Sequence, residues 1–374
     1  MRIGSAELAM LTNNAREPYR FLLDQLLLRL DATLYWTSAY LNKEYVKRNE
    51  EVNINTILPL KNSKDLMEPL LLIHSSLVST DLSEIANGLL TDTIRRVAVF
   101  GLSLMPLDIR QESTRHSEAI DAISKHIGVG SYLQWDEQTR RRWLLTELGS
   151  NRPLLPKKVN YAELKFSNTV IDTLDTFDLI ATLESDSLGA YVISQCQQAS
   201  DVLAVMLLQQ EAGVVAPLRI VPLFETLDDL ERSADTVDAL FSSALYRGRI
   251  RSKQEIMVGY SDSAKDAGRL AASWAQYNAQ IKMMEIANKY GVEVTFFHGK
   301  GGTVGRGGNP ALYEAILAHP PKTINGRFRV TEQGEMITQN LGQSTIAERT
   351  LDFFTAGCVF FIYFKNRVSN NSIL

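Results

Sequence analysis

Short apolar runs alternate with longer amphipathic stretches over most of this chain. The runs are GLSLMPLDI (101–109), AYVIS (190–194), LRIVPLF (218–224), EIMVGY (255–260), EVTFF (293–297) and RFRVT (327–331). Each has strand length, and several are continuously apolar, as parallel strands covered on both faces are. Most are separated by enough residues for a helical crossover. Six such units predict an α/β, predominantly helical fold built on an incomplete (β/α) barrel. A doubly wound sheet satisfies the same periodicity. Ahead of the first run the chain reads as helices. In REPYRFLLDQLLLRLDATLYW, Phe21, Leu22, Leu26, Leu28 and Leu30 are expected to crowd a buried face.

Both architectures hold ligands beyond the carboxyl ends of their strands. Asp108, Arg110 and Glu112 follow the first run. LRIVPLF leads into Glu225, and MVGY into Asp262 and Lys265. Lys300 and Arg306 follow VTFFH, and Glu332 follows RFRV. Charged groups therefore gather at one predicted rim.

The sharpest motif is GKGGTVGRGG, starting at Gly299. Six of its ten residues are glycine: Gly299, Gly301, Gly302, Gly305, Gly307 and Gly308. Such a stretch lets backbone approach a ligand closely. Asn309 and Pro310 are suited to open a helix, whose free N–H groups favour an anion. Lys300 and Arg306 add two cations, so phosphate or carboxylate binding is expected. The loop matches neither GxxxxGK[ST] nor GxGxxG.

In GYSDSAKDAG, Ser263 and Asp266 have capping-box spacing. Leu270, Trp274, Tyr277, Ile281 and Met284 then recur at helical steps, predicting one apolar face that ends near Gly291. Lys265 falls in the first helical turn, where a cation opposes the helix dipole. It is either an exposed lysine or one retained for chemistry. Glu225 and Asp262 end neighbouring runs, and two carboxylates at one rim suit Mg²⁺ or Mn²⁺. Glu225 could equally cap its own turn. Arg110 is placed to reach a phosphate. Arg115, His116 and Glu118 read as a solvated helix face, and His298 as a core histidine.

Composition narrows the classes. Hydrophobic residues at 45% supply a sizeable core, and a net charge of −4 gives no case for nucleic acid or an anionic membrane as partner. Cys196 and Cys358 form no metal or CxxC spacing, which fits a reducing compartment. MRIGSAELAM carries no long apolar core of a secretory signal. The apolar stretch from Phe353 to Phe364 is too short to span a membrane.

Taken in order, LDIRQESTRHSEAI, NRPLLP, YVIS, DVLAVMLL, PLFETLDDL, GYSDSAKDAG, AASWAQYNAQ, FFHGKGGTVGRGG and RVTEQGEMI resemble phosphoenolpyruvate carboxylase. The resemblance implies a largely helical protein around an eight-stranded barrel, assembled as a cytoplasmic homotetramer and dependent on Mg²⁺ or Mn²⁺. Its substrates would be phosphoenolpyruvate and bicarbonate. Glu225 and Asp262 would be the metal ligands. Arg110 would contact phosphate, and Lys265 would lie beside the bicarbonate site. Lys300 and Arg306 would join Lys265 and Arg110 as catalytic cations. Arg306 would also serve inhibitor binding, and Arg152 assembly and activation.

The resemblance divides the chain into a helical segment 1–95, a barrel segment 96–356 and a tail 357–374 unlike the family. Two further departures stand out. No TAHPTE-type segment with its catalytic histidine is present, and Lys300 stands where the family loop reads HGRGG. The chain alone is therefore expected not to turn over. The alternative is a non-catalytic partner of longer subunits.

Overall fold

The computed structural model describes residues 17–41, 57–150, 152–156, 161, 163–299, 316–331 and 334–365. They fall into two compact units, Met1–Leu107 with Glu184–Gly189, and Asp108–Leu183 with Ala190–Leu374. Lys300, Gly301, Gly302, Gly305, Arg306, Gly307, Gly308, Asn309, Pro310 and Glu332 lie outside the described residues.

The first unit is helical. It contains α1 (Pro18–Leu41), α2 (Ser63–Ser79) and α3 (Thr91–Phe100). Asn62 opens α2 by accepting the N–H groups of Lys64 and Asp65 through its side chain. Leu26, Leu70 and Val97 form its core, with Ile73, Leu77 and Ala86 beside them. The expected face of α1 needs correcting. Leu26 is buried and Phe21 and Leu22 are half-buried, whereas Leu28 and Leu30 are exposed. Residues two apart point to opposite sides of a helix, so 26 and 28 cannot share one face.

The second unit holds the sheet, apart from the first residues of its first two strands: β1 (Leu107–Glu112), β2 (Leu188–Ser194), β3 (Arg219–Phe224), β4 (Lys253–Gly259), β5 (Glu293–Gly299) and β6 (Arg329–Val330). Their spatial order is their sequence order. The β2–β3, β3–β4, β4–β5 and β5–β6 ladders are parallel. A doubly wound sheet reverses its order at a switch point, and this one does not. The winding is that of a curled, incomplete barrel. The first strand starts at Leu107 rather than at residue 101. Gly101 and Leu104 have φ of 55° and 63°, which a strand cannot accommodate.

Alternate residues of each strand share a face. Ala190 and Val192, Val221 and Leu223, Met257, and Phe297 meet as one apolar cluster on the concave side. Tyr191, Ile193, Ile220, Phe224, Ile256, Val258 and Phe296 fill the other face and are equally buried. Burial on both faces is why the runs read as continuously apolar.

Crossover helices cover the outside. They include α4 (Ser113–His126), α5 (Glu137–Leu148), α6 (Asn168–Thr182), α7 (Ala199–Glu211), α8 (Leu227–Phe241), α9 (Ala244–Arg249), α10 (Ser261–Ala267) and α11 (Arg269–Tyr290). Gly291 ends α11 at φ 66°, as the sequence predicts. The face of α11 does not follow the prediction. Met284 is buried, but Leu270 and Trp274 are 87% and 66% exposed. The buried stripe is Ala272, Gln276, Ala279, Met283 and Ala287, mostly small side chains that let α11 pack closely on α8. Beyond β6 lie α12 (Gly334–Leu341) and α13 (Ser344–Phe360). Cys196 and Cys358 are free thiols.

Candidate active site

The parity that fills the concave face also decides what stands at its carboxyl rim. Arg219, Val221 and Leu223 alternate along β3, so the next residue in phase is Glu225, just past the strand. Arg110 has the same relation to Asp108 on β1. The two meet. Arg110 Nη2 donates to Glu225 Oε1 at 2.7 Å, and the Glu225 side chain is only 10% exposed. The other carboxylate oxygen, Oε2, accepts the backbone N–H of Gln195 at 3.1 Å. Gln195 adopts a left-handed φ of 52°, and its carbonyl is held by Ser113 Oγ at 2.7 Å.

Glu225 does not merely cap its turn. The cap of α8 is made by Thr226 and Asp229 in a reciprocal capping box. This leaves the Glu225 side chain aimed at Arg110 instead.

Asp262 sits in the first turn of α10, three residues beyond the end of β4, and is half exposed. Lys265 Nζ lies 3.3 Å from Asp262 Oδ1, one helical turn on. The expected Ser263–Asp266 capping box is absent. Ser263 lies inside α10, is fully buried, and donates to the carbonyl of Gly259 at 3.0 Å. Asp266 instead accepts the N–H of Leu227. Gly259 is needed at the strand end because a Cβ there would stand 3.1 Å from Glu225 Cα. Gly299 pairs with it on β5, and the glycine-rich segment follows directly.

Burial pushes the Glu225 carboxyl above the usual carboxylate range, and the charge of Asp262 adds to this. The Gln195 N–H and Arg110 oppose it. A buried carboxylate whose proton affinity is raised in part by a second carboxylate is one that a cation relieves. Among the described residues no group of three or more His, Cys, Asp or Glu is placed to hold a metal. A two-carboxylate set of hard oxygens fits Mg²⁺ or Mn²⁺, which takes its remaining ligands from water and substrate.

The other candidates separate from this cluster. His298 is buried as a core residue, with Tyr260 Oη 2.9 Å from its Nδ1 and the His319 ring 4.1 Å away. His116 is not on a solvated face. It is fully buried in α4, 2.8 Å from Tyr191 Oη, which donates onward to Gln111. Arg115 pairs with Asp172 and Glu118 is exposed. Arg152 lies in the exposed bend after α5.

Sequence reasoning passed over two supporting groups. One is the Gln195 N–H, which no side-chain pattern announces. The other is Gln276, buried on α11, whose Nε2 donates to the Gly259 carbonyl at 2.9 Å and to Ser263 Oγ at 2.8 Å. A glutamine in phase with the alanines of α11 was the available signal.

Residues 3–365 match the sequence model of the phosphoenolpyruvate carboxylase family. The phosphoenolpyruvate carboxylase of Pseudomonas aeruginosa is 49% identical over 356 residues, 95% of this chain and 39% of that protein. That of Shewanella loihica is 45% identical over the same span. That of Picea abies is 48% identical over 340 residues, 91% of this chain and 34% of the relative. The chain thus spans little more than a third of the length of these relatives. A match over 95% of the chain at this identity makes the chain a member of the phosphoenolpyruvate carboxylase family.

Proposed function

We propose that this chain is the barrel-bearing part of a phosphoenolpyruvate carboxylase, which joins bicarbonate to phosphoenolpyruvate to give oxaloacetate and phosphate. The observation that carries the reading is the bond from the exposed Arg110 to the buried Glu225, beside Asp262, at the carboxyl rim of a chain of this family.

A bicarbonate oxygen attacks the phosphorus of phosphoenolpyruvate, and the bond from phosphorus to the enol oxygen breaks. Carboxyphosphate and the enolate of pyruvate result. Carboxyphosphate then releases CO₂ and phosphate, and the enolate carbon forms a bond to CO₂. Glu225 and Asp262 would hold Mg²⁺ or Mn²⁺, which when bound stabilises negative charge developing on oxygen. Arg110, steered by Glu225, presents its guanidinium fork to the phosphoryl group. Lys265, tethered to Asp262 on a short helix, holds bicarbonate in place. Lys300 and Arg306 add two further cations for the charge on the transferring phosphoryl group. Assembly as a cytoplasmic homotetramer, with Arg152 at a subunit contact, belongs to the same reading. No helix among the described residues is long and apolar enough to cross a membrane.

Two measurements test the reading. Mn²⁺ titration of the 374-residue chain by electron paramagnetic resonance is expected to show one site, weakened at least about tenfold by Glu225→Gln or Asp262→Asn, the loss of one ligand. Oxaloacetate formation, coupled to malate dehydrogenase, is expected only when the chain is extended by the TAHPTE-bearing segment of a relative. Mn²⁺ affinity indifferent to both substitutions, together with no bicarbonate-dependent turnover in the extended chain, would overturn it.

A further inference from the structure

The amino ends of β3 and β4 border a cavity of about 690 Å³ on the side of the sheet away from Glu225 and Asp262. The six residues of β3, at about 3.3 Å each, put roughly 20 Å between the two ends. The cavity is open to solvent and within the size range of small-molecule sites.

Its lining has two characters. Arg219, Arg249, Arg251 and Lys253 supply four cations against a single carboxylate, Glu255. That carboxylate is already bonded by Arg219 and Arg329. Met206, Val214, Pro217 and Ile250 give an apolar wall. Arg249 is partly committed, donating to the Leu148 carbonyl and to Gln210 Oε1. Lys253 lies 3.7 Å from Glu293. Arg251 has no carboxylate partner among the described residues and is exposed at the mouth.

Arg251 is also held at a cost. It and Ser252 both adopt left-handed φ, 52° and 54°, in the tight turn between α9 and β4. Glycine takes such a conformation without a penalty, whereas an arginine there is strained. A strained, unpaired arginine at the mouth of a cationic cavity is better explained by a ligand than by the turn.

We infer that this cavity binds a small phosphate monoester carrying an apolar group. The guanidinium forks match phosphate oxygens, and the apolar wall takes the organic part. This site is separate from the catalytic rim and does not depend on the activity proposed above.

The test uses phenyl phosphate, titrated calorimetrically into the full chain, its Arg251→Gly variant and its Arg110→Ala variant. Arg110→Ala removes a rim contact and is expected to leave a binding event in place. Arg251→Gly is expected to weaken that event by at least about tenfold, the scale of one charge-assisted hydrogen bond. The same variant should show a higher urea midpoint, since backbone strain is relieved, so the weakened binding cannot come from misfolding. Inorganic phosphate is expected to bind several-fold more weakly than phenyl phosphate. The inference is overturned if Arg251→Gly binds as wild type, if Arg110→Ala abolishes all binding, or if no binding is seen at millimolar ligand.

Discussion

Asp108 on the first strand and Arg329 on the sixth form an ion pair at 2.5 Å, although 221 residues separate them in sequence. They are the outermost strands of the sheet, so their contact closes the concave face at its amino end. Arg329 also donates to Glu255 on β4, and Glu255 accepts from Arg219 on β3. Asp108 Oδ1 further accepts the Ala190 N–H at 2.9 Å. Five of the six strands are thus tied by one charged layer beneath the apolar cluster.

Removing the central cation should be expensive. Arg329→Met would leave Glu255, whose side chain is 8% exposed, beside Asp108 with one cation fewer between them. Breaking a buried pair costs about 3–5 kcal/mol, and the partial exposure of Arg329 lowers the expectation to about 2–3 kcal/mol. Urea denaturation of Arg329→Met, Asp108→Asn and the double variant measures it. A double-mutant cycle is expected to give a coupling above about 1 kcal/mol. Additive effects would show that the strands close without this pair.

The rim predicts a difference between two glycines. A Cβ on Gly259 would meet backbone, the Glu225 Cα at 3.1 Å and the Phe224 carbonyl at 3.2 Å. On Gly299 the nearest atom is Met257 Cε at 2.8 Å, the end of a flexible side chain, with the Val258 carbonyl at 3.2 Å. Gly259→Ala should therefore cost about 1–3 kcal/mol, the usual range for overpacking, and Gly299→Ala less. Because the strain falls on Glu225, Gly259→Ala should also weaken Mn²⁺ binding measurably. A Gly259→Ala chain with unaltered Mn²⁺ affinity and urea midpoint would contradict this.

The architecture was legible in the sequence to the extent that burial is two-sided. Val221, Leu223 and Met257 on one face and Ile220, Phe224 and Ile256 on the other make continuous apolar runs that mark strands without ambiguity. Strand order was not legible, because periodicity does not say which neighbour a strand selects. The alternation along β3 was sufficient to place Glu225 at the rim. The partners that orient it were not visible, since a backbone N–H such as that of Gln195 leaves no mark in the side-chain pattern. On α11 the larger residues Leu270 and Trp274 outweighed the alanines that pack, because size was read as burial.

The leucines of α1 predict association. Leu23, Leu27, Leu30 and Leu34 stand at steps of four, three and four, and are 46%, 57%, 37% and 68% exposed. An apolar stripe of this kind drives contact between molecules. The chain is expected to self-associate at micromolar concentration. Leu27→Glu with Leu34→Glu should reduce the hydrodynamic radius seen by dynamic light scattering. Both side chains are exposed, so the urea midpoint should change by less than about 0.5 kcal/mol in free-energy terms. A monodisperse wild type, or association unchanged by the pair, would refute the expectation.

Two buried groups in the second unit titrate against each other. Burial pushes the Asp201 carboxyl up from 3.8 to about 6, despite the N–H groups of Gln197 and Gln198 that it accepts. Between those values the folded chain binds a proton that the unfolded chain lacks. The Asp201 contribution to stability therefore falls as pH rises through this window. His116 acts in the opposite direction. Burial lowers it from 6.5 to about 3, so the unfolded chain takes up its proton first and stability falls as pH drops below 6.5. Between about pH 4 and pH 6 the two slopes offset, each at most about 1.4 kcal/mol per pH unit. Asp201→Asn removes one of them and keeps an oxygen acceptor for the two N–H groups. Its stability should fall more steeply with acid than that of the wild type. His116→Gln, able to retain a bond to Tyr191, should gain stability over the same range. Urea midpoints at pH 4.5, 5.5 and 6.5 for the three chains decide the matter. If the Asp201→Asn and wild-type curves run parallel, Asp201 is ionised in the folded chain at all three pH values.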